Sequence, residues 1–195
     1  MALFTAQARS GKDRRRALFA KVWLIVAVLL LGASANGAEF APAKEFQVKA
    51  AFLYNFAQFV EWPSSAFEEP ESPLVIGILG LDPFGEVLDE MVKGEKVNGR
   101  PLVVKRYRRV EDINQCHILF VSGSEGHRTD QIVAELGGKS VLTVCDWEGF
   151  TRRGAMVRFV MERNRVRLRI NLEAAKAAGL NISSKLLRSA ETVIQ

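Results

Sequence analysis

Lys49-Ala-Ala-Phe-Leu-Tyr-Asn-Phe-Ala-Gln-Phe-Val-Glu-Trp-Pro63 is the stretch that decides the fold. Val48, Phe52, Leu53, Phe56, Phe59 and Val60 recur at helical spacing and make one broad apolar face, with Gln47, Ala51, Asn55, Gln58 and Glu61 opposite. Three phenylalanines on one face bury more area than a solvated helix needs, so a sheet must lie beneath it. Pro63 biases Trp62 away from helical dihedrals, which sets the expected helix at residues 44–61.

Upstream of that helix the chain reads as an address. Arg14, Arg15 and Arg16 precede an apolar run over residues 22–31, and Ala33-Ser34-Ala35 is a small-x-small cleavage pattern. The run is about half the ~20 residues a bilayer span requires. The adjacent arginines admit a twin-arginine export route, although residues 13–18 fit that pattern loosely. The expected organisation is therefore a signal peptide over residues 1–35, with Gly37 as the alternative cleavage point, and a single domain over residues 36–195. Removing residues 1–35 takes six of the 27 Lys+Arg and one of the 22 Asp+Glu, leaving 21 of each and no net charge. The basic balance of the whole chain thus says nothing about nucleic acid, and none is expected as a partner. About 160 residues suffice for one domain with a core of its own.

Downstream, residues 74–79 form a continuous apolar run of strand length, the mark of a strand covered on both faces, and 117–121 are again apolar throughout; residues 102–107, led in by Pro101, and 141–144 read as two further strands. Asp82 and Pro83 are expected to cap and open a helix over residues 84–92, and Gly137-Gly138 to stop another over residues 128–136. Residues 64–73, with three glutamates and two prolines, read as an exposed loop. Further on, residues 155–162 and 165–170 flank Arg163-Asn164, a two-residue gap suited to a hairpin. That register sets Met161 opposite Val166, Phe159 opposite Leu168 and Val157 opposite Ile170 on one wholly apolar side. The other side pairs Glu162 with Arg165, Val160 with Arg167 and Arg158 with Arg169. Asn171 is placed to cap a helix over residues 172–178 that Gly179 ends, and residues 183–188 read as a last helical turn or two. The whole is an α/β fold: a three-layer α/β/α sandwich with a Rossmann-like, mainly parallel sheet and a C-terminal β-hairpin.

Strand ends are where such sheets bind ligands, and Asp82, Ser122, Ser124 and Asp146 are the candidate ligand-binding residues there. The loop over residues 77–85 lacks the glycine and lysine patterns of phosphate-binding loops, so a capped helix is the plainer reading. Ser122-Gly-Ser-Glu-Gly126 is richer in anion-binding groups, yet holds no cation and also reads as helix capping by Ser124. His127 lies too near Ser124 in sequence for a triad, and two histidines make a thin basis for a metal site, so no catalytic residue, metal or other cofactor is assigned. Cys145-Asp146 is the most reactive-looking place but lacks a sequence-evident base. Cys116 and Cys145 fall at opposite ends of parallel strands, on the order of 13 Å apart at ~3.3 Å per residue. A bridge needs Cα atoms within about 7 Å, so no disulfide is expected. The row Arg163, Arg165, Arg167, Arg169 reads as a solvated face guarding a sheet edge, or as a surface that steers an acidic partner.

Several strings together carry a resemblance. The helix quoted above, Gly77-x-x-Gly80-x-Asp82-Pro-Phe-Gly85, Cys116-His-Ile-Leu-Phe-Val121 and Leu142-Thr-Val-Cys-Asp146 resemble, in order, the motifs of the YfiR-like family of bacterial periplasmic proteins. Gly149-Phe150 through Gly154, Arg167-Leu-Arg-Ile-Asn171 and Gly179-Leu-x-Ile-Ser-Ser-x-Leu-Leu187 complete the pattern over residues 44–190. The resemblance implies a non-enzymatic periplasmic repressor. It would bind the periplasmic domain of an inner-membrane diguanylate cyclase and so lower cyclic-di-GMP and biofilm formation. It further implies a homodimer of α/β/α sandwiches. No hydrophobic stretch after residue 35 is long enough to cross a membrane, so no stable membrane insertion is expected once the signal is cleaved. Members also occur as sensory modules of other signalling systems, which keeps a small-molecule sensor as the alternative. Redox state at the cysteines affects stability in namesake-like members, and this chain departs from them in having only two. Partner contact carries over to Phe150, Glu162 and Leu168, although the hairpin register turns Leu168 toward the core.

Overall fold

The computed structural model describes residues 42–190 and 192–194, so the expected signal peptide and its cleavage site lie outside the described residues. The opening helix α1 (Pro42–Phe59) starts two residues earlier than its pattern suggests, on a proline whose missing N–H is no loss at a first helical position. It also ends two residues early. Val60–Glu61 turn extended as strand β1 and pair antiparallel with β9 (Asn181–Ile182), while Ser183 N–H donates to the Phe59 carbonyl at 2.9 Å. A strand partner from the far end of the chain thus takes over where the helix pattern would have continued.

The deepest positions of α1 are Ala50, Leu53, Phe56 and Ala57, so the stripe is rotated toward the two alanines, which let the helix lie close to the sheet. Phe52 and Phe59 flank it, half-buried. Phe52 and Phe56 both meet Phe159, with ring centroids 5.9 and 6.1 Å apart, as the count of phenylalanines required.

The main sheet has the order β10-β8-β7-β6-β5-β2-β4-β3. Its strands are β2 (Leu74–Leu79), β3 (Lys96–Val97), β4 (Arg100–Tyr107), β5 (Ile118–Val121), β6 (Leu142–Cys145), β7 (Val157–Glu162), β8 (Arg165–Asn171) and β10 (Thr192–Ile194). Only the β7–β8 and β3–β4 pairs run antiparallel. Side chains alternate across it. Ile118 and Phe120 face a core shared with α1, α2 (Glu86–Val92), α5 (Leu172–Ala177) and α6 (Ser184–Leu187). Leu119 and Val121 face a second core with α3 (Thr129–Leu136) and α4 (Glu148–Thr151). The three-layer sandwich expected from the sequence is the one observed.

The hairpin register agrees at all six pairs, from Glu162↔Arg165 to Val157↔Ile170. Asn171 Oδ1 accepts from Ala174 N–H at 2.9 Å, the cap assigned to it. Two caps differ. Asp82 Oδ1 accepts from Phe84 N–H at 2.7 Å, but the helix proper starts at Glu86, after Gly85. Ser122, and not Ser124, caps the 3-10 turn Gly123–Arg128 that leads into α3. The loop after β1 is anchored where the composition suggested only exposure. Phe67 stacks on His117 with centroids 4.4 Å apart, and Arg100 lies over the Phe67 ring at 3.6 Å.

Candidate functional site

One turn separates Glu45 from Lys49, and α1 runs so that this turn reaches the C-terminal end of β6. Lys49 is 4% exposed although it carries a charge. Its Nζ lies 2.6 Å from Glu45 Oε1 and 2.8 Å from Asp146 Oδ2, and 4.9 Å from the Phe46 ring centroid. Burial of an ammonium is tolerable only with such partners, so the pair fixes α1 against the residue that follows β6.

Beside this pair opens a cleft of about 310 Å³. Glu45, Lys49 and Asp146 wall one side, and the segment Arg158 to Glu162 with Arg169 walls the other. Arg169 Nη2 pairs with Glu162 Oε1 at 3.0 Å. Nε of Arg158 is buried and meets no acceptor among the described residues. Three carboxylates face three cations here, and no nucleophile lies among them. Such a cleft suits the recognition of polar or charged groups.

The other sequence-derived residues are placed as follows. Glu162 stands in the cleft wall. Phe150 is buried under the sheet and stacks on Trp147, centroids 5.9 Å apart, while Leu168 is buried beneath α1. Neither ring nor isobutyl group is presented at the surface. Asp146 is the ligand-site candidate that lines the cleft. Asp82 is committed elsewhere, its Oδ2 taking Arg106 Nε at 2.7 Å. Ser124 Oγ accepts from Leu81 N–H at 3.1 Å, and Ser122 Oγ accepts from Ser124 N–H at 3.4 Å. The place where strand order reverses, between β2 and β5, is filled. A Cβ on Gly80 would fall 2.5 Å from Ser124 Oγ and 2.7 Å from Glu125 Oε1, and Glu125 itself pairs with Arg128 at 2.6 Å. The polar groups of that crevice are spent on each other.

Cys116 and Cys145 are both free thiols and both buried. Cys145 is paired with Val121, five residues beyond Cys116, so the length of β5 separates them. Burial pushes the Cys116 thiol up to about 12, and it raises Cys145 as well. Cys145 Sγ has the Trp147 carbonyl at 3.4 Å and Thr151 Oγ1 at 3.7 Å as neighbours, neither of them a base. His117 is a structural histidine, as its place at the start of a buried strand suggested. Its Nδ1 accepts from Val75 N–H at 3.0 Å and its Nε2–H donates to the Ala66 carbonyl at 3.1 Å, which sets the neutral tautomer.

Sequence reasoning missed Lys49 as a site residue. The signal was present: a lysine embedded in the apolar stripe, with a glutamate one turn before it. Its partner Asp146 lies 97 residues away and could not be paired with it from spacing.

Comparison with known proteins settles the family. Residues 46–191, three quarters of the chain, match the family described as YfiR/HmsC-like. The chain belongs to that family. YfiR/HmsC-like proteins are periplasmic regulators in diguanylate cyclase signalling, a regulatory and not a catalytic family. Both partners of the Lys49–Asp146 pair fall inside the matched segment. Among solved structures, an ABC domain in complex with L-Trp from Streptococcus pneumonia is similar at 10% identity with a TM-score of 0.50. The alignment covers 77% of this chain and 60% of that one, and the likeness shows the α/β fold alone. A comparison with curated proteins finds no match. No helix among the described residues is long and apolar enough to cross a membrane.

Proposed function

We propose that this protein represses an inner-membrane diguanylate cyclase by binding its periplasmic domain, and so lowers cyclic-di-GMP and biofilm formation. Residues 1–35 direct export and are removed, and residues 36–195 act in the periplasm as a homodimer. The observation that carries this reading is the family match across residues 46–191. The site agrees with it, because a charge-balanced cleft beside an exposed hairpin suits recognition of another surface. Repression follows if the cyclase's inactive state is bound more tightly than its active one; a shift from 1:99 to 99:1 needs a preference of about 10⁴-fold. Glu162 contacts the partner directly. Phe150 and Leu168 act from inside, by holding the α4 turn and the hairpin in the shape the partner meets.

One observation favours a sensor reading in second place: Asp146 lines a charged cleft large enough for a small polar molecule. Asp82, Ser122 and Ser124 would serve it only after giving up their present partners.

The direct test is calorimetric titration of the protein, purified from periplasm, with the periplasmic domains of the same cell's inner-membrane diguanylate cyclases, taken in turn. Binding tighter than about 10 μM is expected. Absence of heat at tenfold higher concentration would contradict the proposal.

A further inference from the structure

The hairpin extends past the sheet it belongs to. β6 ends at Cys145, opposite Arg158, while β7 continues to Glu162. The turn Arg163-Asn164 has φ of 47° and 61°, the two-residue type in which the flanking pair Glu162↔Arg165 exchanges both hydrogen bonds. Alternation then makes Val160↔Arg167 and Arg158↔Arg169 the other bonded pairs. Phe159 and Met161 therefore turn their backbone groups away from β8. The last rung to β6 consumes the N–H of Phe159. The carbonyl of Phe159 and both backbone groups of Met161 meet no strand among the described residues, and they face the cleft. Met161 is 41% exposed, among the largest apolar side chains so placed.

We propose that this open edge of β7 is a docking strand: an extended segment of a partner protein adds beside residues 159–162, with acidic side chains on its Arg158 side. The inference rests on the reading of the protein as a regulator that binds another protein, and it names the place and the chemistry. Backbone pairing supplies the contact and the walls supply the selectivity. On the Arg158 side, Arg165 and Arg167 are exposed without an ion pair among the described residues, and the buried Nε of Arg158 lacks an acceptor. Glu162 already pairs with Arg169, and Glu148 lies near both Arg158 and Arg169, so the charge left for a partner to meet is that of Arg165 and Arg167, which carboxylates answer and a basic segment would oppose.

The test follows the Met161 amide by NMR in the protein alone, with the periplasmic domains of the same cell's diguanylate cyclases, and with two capped hexapeptides, alternating Val-Glu and alternating Val-Lys. A fast-exchanging amide is expected in the free protein, slowed roughly tenfold or more by the cyclase domain or the Val-Glu peptide and not by the Val-Lys peptide. Met161→Pro removes that N–H without touching the β8 ladder; it should keep the fold and lose the binding, whereas Met161→Thr should keep both. An amide already slow in the free protein overturns the proposal, as does one that neither the cyclase domain nor the Val-Glu peptide slows. Cyclase binding with the Met161 amide unchanged overturns the edge and leaves the regulatory reading standing. Protection by the peptide with no cyclase binding keeps the edge and removes that reading.

Discussion

Lys49 Nζ sits 2.8 Å from Asp146 Oδ2, joining two residues 97 positions apart, the first of one family motif and the last of another. The ammonium is almost wholly buried and the carboxylate about three-quarters so, with side-chain exposures of 5% and 24%. Removing one partner strands the other. Lys49→Ala should lower the unfolding free energy by about 2–3 kcal/mol, discounted from the 3–5 typical of a fully buried pair. Lys49→Met with Asp146→Leu together should recover most of that loss. The urea midpoint reads it, and a single-variant loss under about 0.5 kcal/mol would show the pair to be idle.

His117 predicts an acid-sensitive fold. Burial, with Arg100 and Lys105 adding to it, lowers its pKa to about 4 from an unfolded value near 6.5, against the opposing pull of the Ala66 carbonyl. The folded state prefers the neutral ring, so this contribution is complete above about pH 6.5 and is lost as pH falls toward 4. At ~1.4 kcal/mol per pKa unit, about 3 kcal/mol disappears across that window. Unfolding free energies measured from pH 7 to 4 should show the slope in wild type and a flatter one in His117→Gln.

Gly77 is a packing requirement inside β2. An added Cβ would lie 2.7 Å from Sγ of buried Cys116 and 2.8 Å from Cε2 of Tyr107, which packs half-buried against the second core. Gly77→Ala should therefore destabilise by about 1–3 kcal/mol despite alanine's better strand entropy. A thermal midpoint equal to wild type would show that the core has room.

Much of the fold could be read from the sequence because the evidence for it was local. The hairpin register follows from a two-residue gap and two alternating strands, and six cross-strand pairs agree with it. Strand β2 is a continuous apolar run, read at its full length from residue 74 to 79. What was not legible depends on distant partners. β1 and β9, two residues each, exist only through pairing 120 positions apart, and β10 joins β8 without a pattern of its own. The site divides the same way. Glu162 and Asp146 were found from motifs, but the cleft they share needs α1 laid across the sheet. Asp82, Ser122 and Ser124 looked available because sequence shows which groups can bind an anion. It does not show that Arg106, Leu81 and each other already hold them.

Phe150 and Glu162 separate structure from recognition. Phe150→Ala opens a cavity beside Trp147 and should cost about 3–5 kcal/mol, losing partner binding through loss of fold. Glu162→Ala leaves Arg169 half-exposed and solvated, so stability should move by under about 1 kcal/mol while affinity falls. Comparing melting with titration for each variant checks the division; unchanged affinity in Glu162→Ala would remove that residue from the contact.

The central claim is that the protein holds down a diguanylate cyclase from the periplasmic side. Cellular cyclic-di-GMP, quantified in strains with and without this gene, tests it most directly. A rise on deletion, reversed by the wild-type gene and not by one lacking residues 1–35, is the predicted result. An unchanged or lower level on deletion would contradict it.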